Sequence, residues 1–207
     1  MNKLDTNSDL YKIRHSLAHV LAQAVLEIRP DAKLGFGPPV DNGFYYDFDL
    51  EEPLTPEDLP KLEKRMRHII KSGQVFEREE LDQEDMVELL SRVNQHYKIE
   101  QLWDLVAQKE IISLYRNGSF WDLCEGPHVK STSEIPKNCF SLDSLAGAYW
   151  KGSEKNNMMQ RVYGLAFETG EQLKEYKEKR NLALQRDHRK LNSKLHYFTV
   201  SEEVGKG

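Results

Sequence analysis

The chain has 207 residues, 39% hydrophobic and 30% charged, with a formal net charge of −5 at pH 7. That length suffices for one large domain or two small ones sharing a core, and the balance is that of a soluble globular protein. With no run of about 18 apolar residues to cross a bilayer, and no basic-then-apolar leader in MNKLDTNSDLYKIRH, a reducing, cytoplasmic setting is expected.

Residues 9 to 29 place apolar side chains at 13, 17, 20, 21, 24, 25 and 28, a helical period with Ser8 or Asp9 as cap and Pro30 as stop. In KLGFGPPVDNGFYYDFDL, Asn42-Gly43 between two extended, aromatic-rich runs predicts a hairpin closed by a type I′ turn, which needs positive φ at both central residues. TPEDLPKLEKRMRHIIKSG reads as a capped helix ending at Gly73, VFEREEL as a short strand, and DQEDMVELLSRV as a helix opened by Asp82. Residues 98 to 107 are expected to be helical again. From 111 to 152 the chain turns β-like, with Asn117-Gly118-Ser119 as a turn, and MMQRVYGLAFE reads as a further strand. Thr169 then caps a long helix over 170–196, which holds eight Lys/Arg against four Asp/Glu, while residues 1–169 sum to −8. The basic charge is thus expected on that helix, either as the footprint of a polyanion or as a solvated face with Lys–Glu pairs. Strands mixed irregularly with helices, without βαβ alternation, predict an α+β fold with mainly antiparallel sheets. The tail LHYFTVSEEVGKG is strand-like without a turn or partner and reads as cut.

Two pairs of residues carry chemistry. His15 and His19 stand at i and i+4, one turn apart on one helix face. Cys124 and His128 flank Glu-Gly-Pro in WDLCEGPHV. Together they are four borderline or soft ligands, enough for a tetrahedral zinc site. A closed structural zinc would use all four, whereas an open site would leave room for water and substrate. Asp122, two positions before Cys124, points to the same face of an extended segment, and Gly126-Pro127 bends the backbone; both favour a hydrolytic pocket. Cys124 and Cys139 are expected as free thiols.

HSLAHVLAQAV, GPPVDNGFYYDF, WDLCEGPHV, LAGAYWKG and MMQRVYGLAF, in this order, resemble the editing domains of bacterial threonyl-tRNA synthetases over roughly residues 10 to 196. The His/His and Cys/His motifs are shared with alanyl-tRNA synthetase editing domains and free-standing alanyl-tRNA deacylases; DNGFYYDF and AGAYW are specific to the threonyl branch. The resemblance implies a bilobed editing domain with a cleft over 1–169, a basic linker helix over 170–196, and at 197–207 the start of a catalytic core that continues past Gly207. Hydrolysis of seryl-tRNA(Thr) is the implied activity, with the 3′ end of aminoacylated tRNA(Thr) and the remaining synthetase domains as partners. His15 would meet the terminal ribose and the extra methyl of threonine. His19 and His128 would line the pocket, Cys124 would support it, and Tyr46 would pack beside the substrate. Asp122 and Lys98 would position water and stabilise charge on the ester, although by residue type alone Lys98 reads as a surface lysine, and Tyr149, Trp150 and Met158 read as core. In the alanyl relatives the four ligands hold zinc; the threonyl branch works without it, so the favoured mechanism requires no cofactor and zinc at His15, His19, Cys124 and His128 is the alternative. Two other functions compete: a free-standing trans-editing deacylase, and a zinc-structured tRNA-binding module without catalysis.

Overall fold

Ser8 opens the first helix as predicted, its side chain accepting from the Tyr11 amide, and helix α1 runs Asp9–Ile28 in the computed structural model, which describes residues 5–185. After it come strands β1 (Lys33–Leu34), β2 (Pro39–Val40) and β3 (Gly43–Asp49), then helix α2 (Leu59–Lys71). Strand β4 (Phe76–Glu80) leads to helices α3 (Gln83–Arg92) and α4 (His96–Gln108), and then to β5 (Ser113–Asn117) and β6 (Phe120–Leu123). The long strands β7 (Phe140–Tyr149) and β8 (Met158–Ala166) precede helix α5 (Gly170–Gln185), which Thr169 caps through the amide of Gln172. The expected helix over 186–196 and the core-like tail over 197–207 lie outside the described residues.

All pairings are antiparallel, as the α+β reading requires. One five-stranded sheet runs β1-β3-β8-β7, with β2 also on β3; a three-stranded sheet runs β4-β5-β6. Helix α1 lies against β3 and α2 on one side and reaches the small sheet on the other, through His19 against Phe76 and Phe120 and Gln23 against Asn117. That two-sided contact explains why residues 16 to 25 of α1 are buried without a break, polar ones included. Leu17, Val20, Leu21 and Val25 there each contribute about 1.5–3 kcal/mol by leaving water. A second core of Met86, Leu90, Leu102, Leu114 and Leu123 joins α3 and α4 to the small sheet.

The hairpin before β3 forms, but not with the expected turn. Val40 pairs with Gly43, so Asp41 and Asn42 are its central residues, and neither has positive φ. Gly43 is needed for a different reason: it pairs with Leu165 of β8, and a Cβ there would overlap the Gly164 carbonyl. Close approach of two backbones, not turn chirality, selects this glycine. A second expectation fails at the far end of the β7–β8 ribbon. Trp150 is core, but Tyr149 and Met158 are exposed, because β3 reaches only to Gln160 and leaves that end uncovered. Half of the cations expected on the C-terminal helix, those of 186–196, lie outside the described residues, and a second concentration stands elsewhere. Helix α2 carries five Lys/Arg against one Glu, whereas α5 as described carries four against three.

Candidate active site

Four segments far apart in sequence meet at the edge of α1. Helical spacing puts the His15 and His19 rings 5.5 Å apart, and the turn after β6 brings His128 to 4.2 Å from each of them. The Cys124 Sγ lies 3.3 Å from both His15 Nε2 and His128 Nε2. The turn that achieves this depends on Gly126, at φ +83°, which leaves no room for a Cβ beside the Tyr115 ring. A cis peptide follows it into Pro127.

Two of the three rings, His15 and His128, are held from behind by hydrogen bonds. His15 Nδ1 is 3.2 Å from the Pro127 carbonyl, which only accepts, so this nitrogen carries the proton and Nε2 is left facing the thiol. Ser16 Oγ bridges His128 Nδ1 at 3.1 Å and the Val129 amide at 3.1 Å. Phe76 stacks on His128 at 4.8 Å and Tyr115 meets it edge-on at 4.5 Å. Burial holds all three imidazoles neutral, pulling His15 down to about 4 and His19 and His128 well below their ordinary value. Burial likewise raises the Cys124 thiol to about 12, so it is neither a thiolate nucleophile nor a charged partner for the rings.

Beside this neutral cluster stands a charged one. Asp122, on β6, and Lys98, on α4, are 4% and 2% exposed. The Lys98 ammonium lies 2.8 Å from Oδ1 and 3.0 Å from Oδ2 of Asp122, and only the second contact is directed as a hydrogen bond. Tyr46, fully buried on β3, donates its phenol to the same Oδ2 at 2.5 Å. Burial, then the Asp122 charge, pushes the Tyr46 phenol well above its usual value. Asp122 Oδ1 thus retains free lone pairs, with no directed donor among the described residues. A cavity of about 290 Å³ opens onto both clusters, lined by His15, His19, Tyr46, Lys98, Asp122 and Cys124. Its outer wall is Phe36–Pro39 and Tyr45, and Gly37 is there because a Cβ would overlap the Tyr46 ring.

The structure therefore brings six of the seven residues singled out from the sequence onto one cavity, with His128 directly behind His15 and His19. Lys98 is not a surface lysine; it is buried against a carboxylate. Ser16 and Gln101 were missed. Gln101 lies one helical turn beyond Lys98 on the cavity wall, with its side-chain oxygen buried and unpartnered. The i+3 spacing from Lys98, and for Ser16 its place inside HSLAH, were the available signals.

The donor atoms of His15, His19, Cys124 and His128 lie within 4.8 Å of one another. The donor types suit zinc, and the Nδ1 contacts of His15 and His128 are those that orient metal-binding imidazoles. His19 Nδ1, buried without a partner, is consistent with a ligand waiting for a cation. The widest separation exceeds the edge of a zinc tetrahedron, about 3.3–3.7 Å, so one ring would have to swing inward. These four residues would hold the ion, and a bound zinc would supply Lewis acidity there.

Residues 112–163 match the family described as threonyl and alanyl tRNA synthetase second additional domain. Among curated proteins, the chain is 50% identical over 198 residues to a threonine–tRNA ligase of Gloeobacter violaceus, covering 96% of this chain and 31% of that protein. It is 49% identical over 209 residues to the enzyme of the same name from Dehalococcoides mccartyi, covering 100% and 35%. A Borrelia hermsii threonine–tRNA ligase is 45% identical over 205 residues, covering 99% and 35%. The chain spans about a third of the length of these relatives.

Proposed function

Since the chain belongs to the threonyl and alanyl tRNA synthetase second additional domain family, matching threonine–tRNA ligases along nearly its whole length, we propose that it is an editing esterase that hydrolyses seryl-tRNA(Thr) to serine and tRNA(Thr). The observation that carries this reading is the Tyr46–Asp122–Lys98 group, buried yet open to the same cavity as the pinned His15 ring.

An aminoacyl ester is already activated, so hydrolysis needs a placed water and a stabilised oxyanion. Asp122 is fixed through Oδ2 by Tyr46 and Lys98, with the ammonium also 2.8 Å from Oδ1, and would position the water on the cavity wall it helps to form. The Lys98 ammonium beside it would meet the negative charge that develops on the ester oxygen. A neutral, high-pKa Cys124 argues against a covalent thioester route and for direct attack by water. Selectivity would come from His15. Serine lacks one methyl of threonine, and a binding pocket separates one methylene by only about 1–3 kcal/mol, so a second sieve must reject the larger ester by steric conflict. A ring tied at Nδ1 to the Pro127 carbonyl and at Nε2 to the Cys124 sulfur cannot yield to that methyl.

In this reading the partners are the 3′ end of tRNA(Thr) and the remaining domains of a cytoplasmic synthetase; among the described residues no helix is long and apolar enough to cross a membrane. The test is deacylation of seryl- and threonyl-tRNA(Thr) by the 207-residue chain. The seryl ester should be lost at least about tenfold faster. Equal rates, or no loss of either, would overturn the reading.

One observation favours a second reading. The four converging donors suit a zinc-structured, non-catalytic RNA-binding module. Stoichiometric zinc, unfolding on chelation and no hydrolysis would establish that alternative.

A further inference from the structure

Residues 1–169 sum to −8, which repels a polyanion unless cations gather somewhere. They gather on α2. Its Leu62, Met66 and Ile69 face the core at helical spacing, and its exposed side carries Lys61, Lys64, Arg65, Arg67 and Lys71. Lys64, Lys71 and Lys137 make no ion pair among the described residues, a property they share with Arg14, Lys33, Lys109, Lys130, Lys155 and Lys177, and Lys71 and Lys137 are the two of these that line one cavity.

Lys71 and Lys137 both line a cavity of about 400 Å³ between the end of α2 and the segment 133–140. No acidic residue lines it. Its apolar walls are Ile70, Ile135, Pro136 and Phe140, and Ser133, whose hydroxyl donates to Ser131 Oγ, also lines it. Arg67 is fixed at its rim, paired with Glu63 at 2.8 Å, donating to Asn138 Oδ1 and the Phe140 carbonyl and lying 4.8 Å over the Phe140 ring. The N-terminus of the 16-residue helix α5 abuts this rim where Gly170 packs on Asn138. Two free ammonium groups, a fixed guanidinium and a hydroxyl around an apolar floor suit a phosphate with its sugar and base, the repeating unit of a nucleic acid. Only four residues separate Lys71 from Phe76, which stacks on His128, a span of at most about 18 Å of chain.

We infer that this α2 cavity binds the phosphodiester backbone of the RNA whose 3′ end enters the catalytic cavity. The inference rests on the reading of the substrate as a tRNA ester, but the two are tested apart. Binding of a fluorescent tRNA(Thr) transcript to the 207-residue chain would be followed by anisotropy between 50 and 200 mM salt. Lys71→Ala/Lys137→Ala should bind about tenfold more weakly at the lowest salt. Its log–log salt slope should fall by about 1.4–1.8, the contribution of two phosphate contacts. Lys33→Ala/Lys155→Ala, with the same change in net charge elsewhere, should bind as the parent does. Equal loss in both double variants, parental binding by the first, or no binding by the parent would overturn the inference. Hydrolysis of 3′-O-seryl-adenosine, which has no phosphate chain, should be unchanged in Lys71→Ala/Lys137→Ala. A parent that binds RNA in this way yet leaves the seryl ester intact would remove the esterase reading and keep the surface.

Discussion

A lysine and an aspartate buried together behave unlike a surface ion pair. Lys98 and Asp122 are almost wholly out of water, so removing one partner strands the other charge. Lys98→Met should destabilise the fold by about 3–5 kcal/mol in denaturant unfolding, while Lys98→Met/Asp122→Leu should recover only part of that loss, because it also removes the acceptor of the buried Tyr46 phenol. Neither variant should hydrolyse the seryl ester, which separates what the pair does for the reaction from what it does for stability. A double variant that keeps parental hydrolysis would remove Asp122 from the mechanism. Tyr46→Phe should be milder, costing about 1.5–3 kcal/mol for one hydrogen bond to a charged acceptor. The histidines set a pH dependence in metal-free protein. Their folded pKa values lie below the unfolded value near 6.5, so the unfolded chain binds more protons in between, and stability must fall as pH falls. For His15 the window runs from about 6.5 down to about 4, with a limiting slope of about 1.4 kcal/mol per pH unit, and the other two add to it. Urea midpoints at pH 7 and pH 5 that coincide would contradict this.

Elements that announce themselves by period or cap were legible from residues alone: Ser8 before α1, Asp82 before α3 and Thr169 before α5 all cap as expected. The meeting of the His15/His19 face with the Cys124/His128 turn was also legible, because few residue types tolerate such company by chance. What was not legible depends on neighbours distant in sequence. Gly43 looked like a turn glycine, and only the Gly164 carbonyl opposite reveals its role. Lys98 looked solvated, since its partner is 24 residues away on another element. The positive face of α2 was hidden because its cations are interleaved with apolar core positions. The glycine is testable at the level of strand pairing. Gly43→Ala should force β3 and β8 apart and cost about 1–3 kcal/mol or more, seen as a lower thermal midpoint with reduced hydrolysis. An unchanged midpoint would show that the strands have slack there.

At the scale of the whole molecule, α1 is the shared wall between a five-stranded and a three-stranded sheet, and the cavity lies where β3, α4 and β6 approach that wall. Chelator treatment addresses the assembly as a unit. Under the metal-free reading, dialysis against EDTA should leave seryl ester hydrolysis within about twofold and the thermal midpoint unmoved, whereas loss of both would transfer the cluster to a structural zinc role. Strand β3, which carries Tyr46, gains its long partner only from β8, more than a hundred residues downstream. During synthesis Asp122 and Lys98 emerge from the ribosome before the strand that braces Tyr46. On the proposed reading, a nascent chain that has not yet exposed residue 166 lacks a braced Tyr46, and the esterase it would become is finished only when β8 pairs with β3.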